Sequence, residues 1–330
     1  MGDQNGLKAK GNPIAVFKLA SVIVGILVIN YTNPMTLCVR TLYHVFPKIK
    51  AFGCCHEVFG TQKVLRDIVR LETGKTDIER DEILVDVVGI NHFTWFTRAS
   101  YQGMDLFPVY DRFIDQHFEE GYNDPDRNWM NGTFNCAHRV KFDLFKRYGA
   151  IAAAGDRHLA EFMPGDLYLK NPETVKAWKF ALTPVSWRKE RQADKNAQAL
   201  ASGEEELKLD DTGEEGLRLI KALCGAERFV TNVNIPNFAG QIPNFPKDAV
   251  VETNAVFSRD HIAPVYAGEC PQEIAKLTMP HIRAHEMILD AALNCDFEEA
   301  YCAFMSDPLV RGRISFGEGE ELLKDMIRNT

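Results

Sequence analysis

Three apolar runs, Val22 to Tyr31, Ile49 to Cys54 and Ile83 to Ile90, alternate with two stretches of helical spacing. That alternation constrains the chain more than any other feature. Short runs of Val and Ile with almost no charge read as strands buried on both faces, as in a parallel sheet. Asp86 is the single charge in the third run. After the first run, Asn33 and Pro34 read as the cap and first position of a helix. Cys38, Leu42 and Val45 follow at helical spacing, and Pro47 stops that helix. Val58, Leu65, Ile68 and Val69 give the next helix a buried stripe. The order strand, helix, strand, helix, strand predicts a doubly wound α/β fold.

The texture changes after Asn91. Phe93 to Ala99 with a turn at Gln102-Gly103 reads as an antiparallel hairpin. Helices are expected over about 109–121 and 137–147. Residues 188–216 are strongly charged and read as a solvated surface excursion. Val230 to Glu252 is rich in Pro and Asn and reads as strands joined by turns. From Pro271 onward the spacing is helical, with Ile274, Leu277, His281, Ile282 and Ile288 near one face.

Composition removes several classes of function. The net charge of −8 and the lack of a long Lys/Arg run give no footprint for nucleic acid. Eight cysteines without a C-x-x-C or a secreted-framework spacing read as reduced thiols in a cytoplasmic protein. The apolar stretch Ile14 to Ile29 is interrupted by Lys18 and is shorter than the ~20 residues a membrane span needs. It reads as a buried strand rather than a signal or anchor, so no membrane is expected.

Polar residues at the carboxyl ends of the strands are candidates for chemistry, because open α/β sheets bind ligands there. Cys54-Cys55-His56-Glu57 ends one strand and Asn91-His92 ends another. A thiolate and an imidazole brought together suit a divalent metal. Cys55 also reads as a small buried hydrophobe, and His92 as a hydrogen-bonded core histidine. Cys54 and Cys55, being adjacent, are expected to face opposite sides. Asn30, Thr32 and Asn33 form the polar lip of the first strand, suited to a ligand or, for Asn33, to a helix cap. His158 and Glu161 share a helix face as a potential acid–base pair or a surface ion pair. Gly317-x-Gly319 has no βαβ unit after it and is rejected as a dinucleotide fingerprint.

Asn30-Tyr31-Thr32-Asn33-Pro34-Met35-Thr36, Cys55-His56-Glu57-Val58 and Gly89-Ile90-Asn91-His92-Phe93 together resemble glycoside hydrolase family 4. Asn234-x-Pro236-Asn237, Gly240 to Pro246 and Val250-Val251-Glu252 fit the same family, so the resemblance runs from about residue 30 to 312. The Cys-His-Glu-Val form is most similar to the α-galacturonidase branch. The resemblance implies an incomplete Rossmann-like, lactate/malate-dehydrogenase-like parallel sheet plus a mixed α+β, largely helical substrate domain. Residues 1–92 would be the remnant of an NAD-binding domain without its first βαβ unit. Residues 93–330 would form the substrate, metal and oligomerisation domain.

It also implies hydrolysis of α-D-galacturonides with NAD and Mn²⁺ as cofactors. In that family the sugar is oxidised at C3, its C2 proton is removed with help from the metal, and the aglycone is eliminated. The alternatives are a catalytically inactive truncated subunit, or an α-galactosidase or α-glucosidase of the same family. Carried over by position, Cys55 and His92 are the metal ligands, Asn33 a substrate-binding residue, and Asn30 and Thr32 the cofactor-facing lip. His56 stands where other branches place the acid for the leaving group. His158 falls near the tyrosine base of the phospho-glycosidase branch; no tyrosine occurs there, and Glu161 is the substitute. Arg157 would pair with a sugar carboxylate. A homo-oligomer is expected.

Overall fold

Leu27–Asn30 (β1) and Lys50–Gly53 (β2) pair in parallel, with the helix Met35–Val45 (α1) crossing between them. The structure, a computed structural model, describes residues 27–123, 129–130, 135–184, 186, 201–203 and 215–329. The first part of the apolar run and most of the charged segment 188–216 lie outside those residues. α1 buries Met35, Thr36 and Val39, the face that lies on the sheet. Its cap is Pro34 rather than Asn33, one residue later than the sequence suggests, and the Asn33 side chain accepts the Met35 N–H at 3.2 Å. Glu57–Thr73 (α2) follows β2 and ends at Gly74, whose φ of 71° is the left-handed conformation that closes a helix without Cβ strain.

The third apolar run departs from the expectation. Leu84–Ile90 (β3) does not extend the parallel pair but joins Phe93–Tyr101 (β4) in an antiparallel hairpin. Only Asn91 and His92 separate the two strands, and a parallel crossover needs a dozen residues or more. The hairpin read from Gln102-Gly103 is present: β4 turns back into Met104–Asp105 (β5), with φ of 47° and 85° at the two turn residues. Phe107–His117 (α3) and Arg139–Tyr148 (α4) lie within two residues of the expected helix starts. Ile151–Ala152 (β6) adds to β4 and completes the second sheet. Between α2 and this sheet, Leu65, Ile68 and Val69 pack with Val87, Phe96, Tyr110 and Phe142 in one apolar core.

Short helices follow: Asp156–Glu161 (α5), Gly165–Tyr168 (α6), Pro172–Ala177 (α7) and Gly216–Leu223 (α8). The chain then returns to the first sheet through Phe229–Pro236 (β7), Val250–Ser258 (β8) and His261–Pro264 (β9), all antiparallel. Its strand order is β1-β2-β7-β8-β9, and β2 meets β7 through the single residue pair Gly53–Asn234. A side chain at Gly53 would stand 2.6 Å from Met35, so only glycine lets α1 and β7 approach there. The loop from β7 to β8 is held by Asn237. Its amide donates to the carbonyls of Ile242, Phe245 and Pro246, and its Oδ1 accepts the Ile242 N–H.

Gln272–Asn294 (α9), Phe297–Ser306 (α10) and Phe316–Arg328 (α11) close the chain. On α9, Ile274, His281 and Ile282 are buried as the spacing predicts, whereas Ile288 is 39% exposed. Gly317-Glu318-Gly319 is the first turn of α11, capped reciprocally by Ser315 and Glu318, so it is helix rather than phosphate loop. The architecture is thus α/β, a Rossmann-like parallel edge continued into mixed sheets and covered by helices. No helix among the described residues is long and apolar enough to cross a membrane.

Candidate active site

The carboxyl end of β2 sends two cysteines in opposite directions, as alternation in a strand requires. Cys54 packs with Phe52, Val233 and Phe257, while Cys55 lies against Met35, Val39 and Val250. Burial raises the Cys55 thiol well above its ordinary range, and the charges of Glu252 and Glu57 push the same way. The Glu57 backbone N–H and the Asn91 side chain bond to the sulfur and partly offset this.

Those bonds belong to a closed ring. Asn91 also donates to Glu252 at 3.3 Å. Asn232 donates to Glu252 at 2.6 Å and to the Cys55 carbonyl at 3.2 Å. Glu252 is 1% exposed, and burial lifts its carboxyl to about 7 despite the amide donors. Asn91 precedes His92 in the chain, so the ring joins the strand end carrying one candidate metal ligand to the turn carrying the other. Asn91 and Glu252 lie in motifs singled out in the sequence, but no role in the site is assigned there to them or to Asn232. A further signal is a glutamate inside an apolar strand, opposite an Asn-x-Asn of period two.

His92 takes a left-handed φ of 65° in the β3–β4 turn, and its ring stacks on that of His158. Burial, reinforced by the neighbouring His158 charge, lowers the His92 imidazole to about 4. His158 is the third residue of α5. Its Nε2 lies 3.1 Å from an Arg157 guanidinium nitrogen and 3.6 Å from Glu57 Oε1, and its Nδ1 lies 3.3 Å from Glu161 Oε2. Glu57 also accepts the Gly155 N–H at 2.8 Å. Burial works to raise the Glu57 carboxyl, but His158 and that bond outweigh it and hold the group below its usual value. Arg157 is anchored by Thr183 at 2.7 Å.

The sequence candidates therefore separate into two groups. His92, Arg157, His158 and Glu161 come together around His158, with Glu57 3.6 Å from its Nε2, a place the sequence did not assign to Glu57. His56 is exposed at the start of α2, where its charge helps hold Glu57 ionised. Asn30 and Thr32 bond to each other at 2.9 and 3.3 Å, and Asn33 accepts the Met35 N–H, so these three are engaged locally at the end of β1. Cys55, His92 and Glu57 are donor types that fit a divalent cation, but among the described residues their ligand atoms do not all lie within 4.8 Å of one another.

Residues 87–310 match the family 4 glycosyl hydrolase C-terminal domain, and residues 25–71 match family 4 glycosyl hydrolase. The chain is 59% identical over 305 residues to an alpha-galacturonidase of Lachnoclostridium phytofermentans, covering 92% of this chain and 66% of that protein. It is 48% identical over 303 residues to the alpha-galacturonidase of Bacillus subtilis, covering 91% and 66%. The chain thus spans just under two thirds of the length of these relatives. Its structure superposes on that of Bacillus subtilis lplD with a TM-score of 0.88 at 46% identity, covering 95% of this chain and 72% of that one. A 6-phospho-alpha-glucosidase from gut microorganisms, solved with NAD and Mn²⁺, shares the fold at a TM-score of 0.71 and 18% identity, covering 96% and 69%.

Proposed function

The chain belongs to family 4 of the glycosyl hydrolases, and from that premise we propose that it serves the hydrolysis of α-D-galacturonides. The observation that carries the reading is the array Arg157–His158–Glu57, with the His92 ring stacked on that of His158. Arg157 would offer a fixed cation for a sugar carboxylate next to groups able to move a proton. Identity of 59% over nine-tenths of the chain favours a working glycosidase sequence over an inactive remnant.

When bound, NAD and Mn²⁺ supply hydride exchange at C3 of the sugar and polarisation of the oxygen there. Of this chain's residues, Asn30 and Thr32 would face the dinucleotide, and Cys55 and His92 would hold the metal. His158 takes the acidified C2 proton, and Glu161 and Glu57 stabilise the imidazolium as it forms. His56, exposed at the start of α2, would protonate the leaving oxygen. Arg157 pairs with the substrate's carboxylate and orients the ring over His158. Eight free thiols suit a reducing compartment, where Cys55 stays available.

Turnover of 4-nitrophenyl α-D-galacturonide is measured with NAD⁺, Mn²⁺ and a thiol, against the neutral α-galactoside and α-glucoside. Preference for the galacturonide is expected. A better rate on either neutral glycoside overturns the substrate assignment.

A further inference from the structure

A second cluster of metal-binding atoms lies away from the strand ends. Cys136, His138 and Asp156 bring a sulfur, an imidazole nitrogen and a carboxylate oxygen within 4.8 Å of one another. Among the described residues no other three side chains of Cys, His, Asp or Glu come so close. Cys136 Sγ and His138 Nδ1 are 3.6 Å apart. Two ligands of one tetrahedral ion, with bonds of ~2.3 and ~2.1 Å, stand about 3.5 Å apart.

Asp156 is 0% exposed. Its two oxygens accept the Val140 and Lys141 backbone N–H groups at 3.2 and 3.3 Å, and each retains a further lone pair. The Lys141 ammonium stands 3.9 Å off and donates instead to the Ala154 carbonyl. Burial raises the Cys136 thiol to about 11 and holds His138 neutral, so without an ion the cluster keeps its thiol proton.

Tyr110 provides an independent observation. It is fully buried, and its hydroxyl has no hydrogen-bond partner. That hydroxyl feels the charges of both Asp156 and Cys136. An orphaned buried hydroxyl costs about 1–3 kcal/mol, so this one marks a space in which a partner belongs.

We propose that Cys136, His138 and Asp156 form a second metal centre taking Zn²⁺ or a similarly thiophilic divalent ion, with the Tyr110 hydroxyl at or beside the fourth position. Thiolate, imidazole and carboxylate are the donors such an ion prefers, and thiolate plus carboxylate balance its charge. The thiol proton leaves as the metal–sulfur bond forms, with no change in oxidation state. A pocket lined by Asn135, Cys136 and Asp156 together with Glu57 and His158 gives the ion a way in. Once bound, it would pin the first residue of α5, the helix that carries Arg157 and His158.

The test needs no enzymatic activity, so it stands or falls separately from the galacturonidase reading. The full chain carrying Cys55→Ser, which removes the thiolate at the strand ends, is stripped with chelator and titrated with Co²⁺ under reducing conditions. One equivalent is expected to produce a near-ultraviolet thiolate-to-Co²⁺ charge-transfer band. Adding Cys136→Ser should abolish the band. Tyr110→Phe should keep it and weaken binding about 3- to 10-fold. No band in the Cys55→Ser protein, or a band untouched by Cys136→Ser, overturns the proposal. Should Cys136→Ser not fold, alkylation of the Cys55→Ser protein with and without one equivalent of Zn²⁺ decides by peptide mapping. Protection of Cys136 supports the site, and equal labelling overturns it.

Discussion

The imidazole rings of His92 and His158 stack with centroids 4.1 Å apart and planes 27° from parallel. Two rings in that contact resist carrying a proton each, and Glu57 and Glu161 surround only one of them closely. His92 accordingly stays neutral, as a metal ligand would, while His158 faces the two carboxylates.

Metal binding at the strand ends should release one proton, from Cys55. With His92 held to about 4 it is already deprotonated at neutral pH, whereas the buried thiol is not. Calorimetry with Mn²⁺ in buffers of different ionisation enthalpy, on a Cys136→Ser background, reads that proton directly. Cys55→Ser should remove the binding, and Cys54→Ser, facing the Phe52 cluster, should leave it within a factor of about two.

Arg157→Lys should lower kcat/KM for a galacturonide about 100-fold, corresponding to ~2–3 kcal/mol for a lost bidentate, pre-anchored contact. The neutral α-galactoside should change far less. Equal losses on both substrates would show that Arg157 orients His158 and does not read the carboxylate.

Glu252 makes stability depend on pH in a stated direction. Its folded value of about 7 lies above the ordinary 4.5, so folding holds the proton more tightly than the unfolded chain does. The contribution is full below about pH 4.5 and is lost as pH rises through 7, by on the order of 3 kcal/mol. Urea unfolding of wild type and Glu252→Gln between pH 4.5 and 8 should diverge in slope. Parallel curves would mean that the carboxyl titrates normally.

Asn237→Ala should destabilise the protein by about 2–4 kcal/mol, because three carbonyls and one N–H lose a buried partner together. Asn237→Asp should cost more, since a carboxylate would face three carbonyl oxygens without a donor. Thermal or denaturant unfolding of the pair gives the order.

The strand ends were legible because an apolar run followed abruptly by Asn, Thr or Cys-His leaves few other readings. Cys54 and Cys55 could be told apart by alternation alone. The sheet to which Ile83 to Ile90 belongs was not legible from that run, because an apolar run encodes burial and not its neighbour; the two-residue gap before Phe93 held that information. Glu57 was visible as part of a motif but not as the carboxylate between two histidines, since that depends on α5 returning to the end of β2. Cys136, His138 and Asp156 carry no spacing signal, because a helix and a short strand separate the first two from the third.

The single rung between Gly53 and Asn234 is a mechanical joint between the parallel edge and the antiparallel remainder of the first sheet. Cys55 sits two residues beyond that joint, a lever arm of roughly 7 Å. Torsion of about 5° at the rung would swing the thiol by about 0.6 Å, comparable to the ~0.5 Å within which a preorganised site must hold its groups. The bonds from Asn232 to the Cys55 carbonyl and from Asn91 to its sulfur act as guy-ropes on either side of the pivot. Slackening either one should detune the position of the Cys55 thiol, the proposed metal ligand, before it unfolds anything.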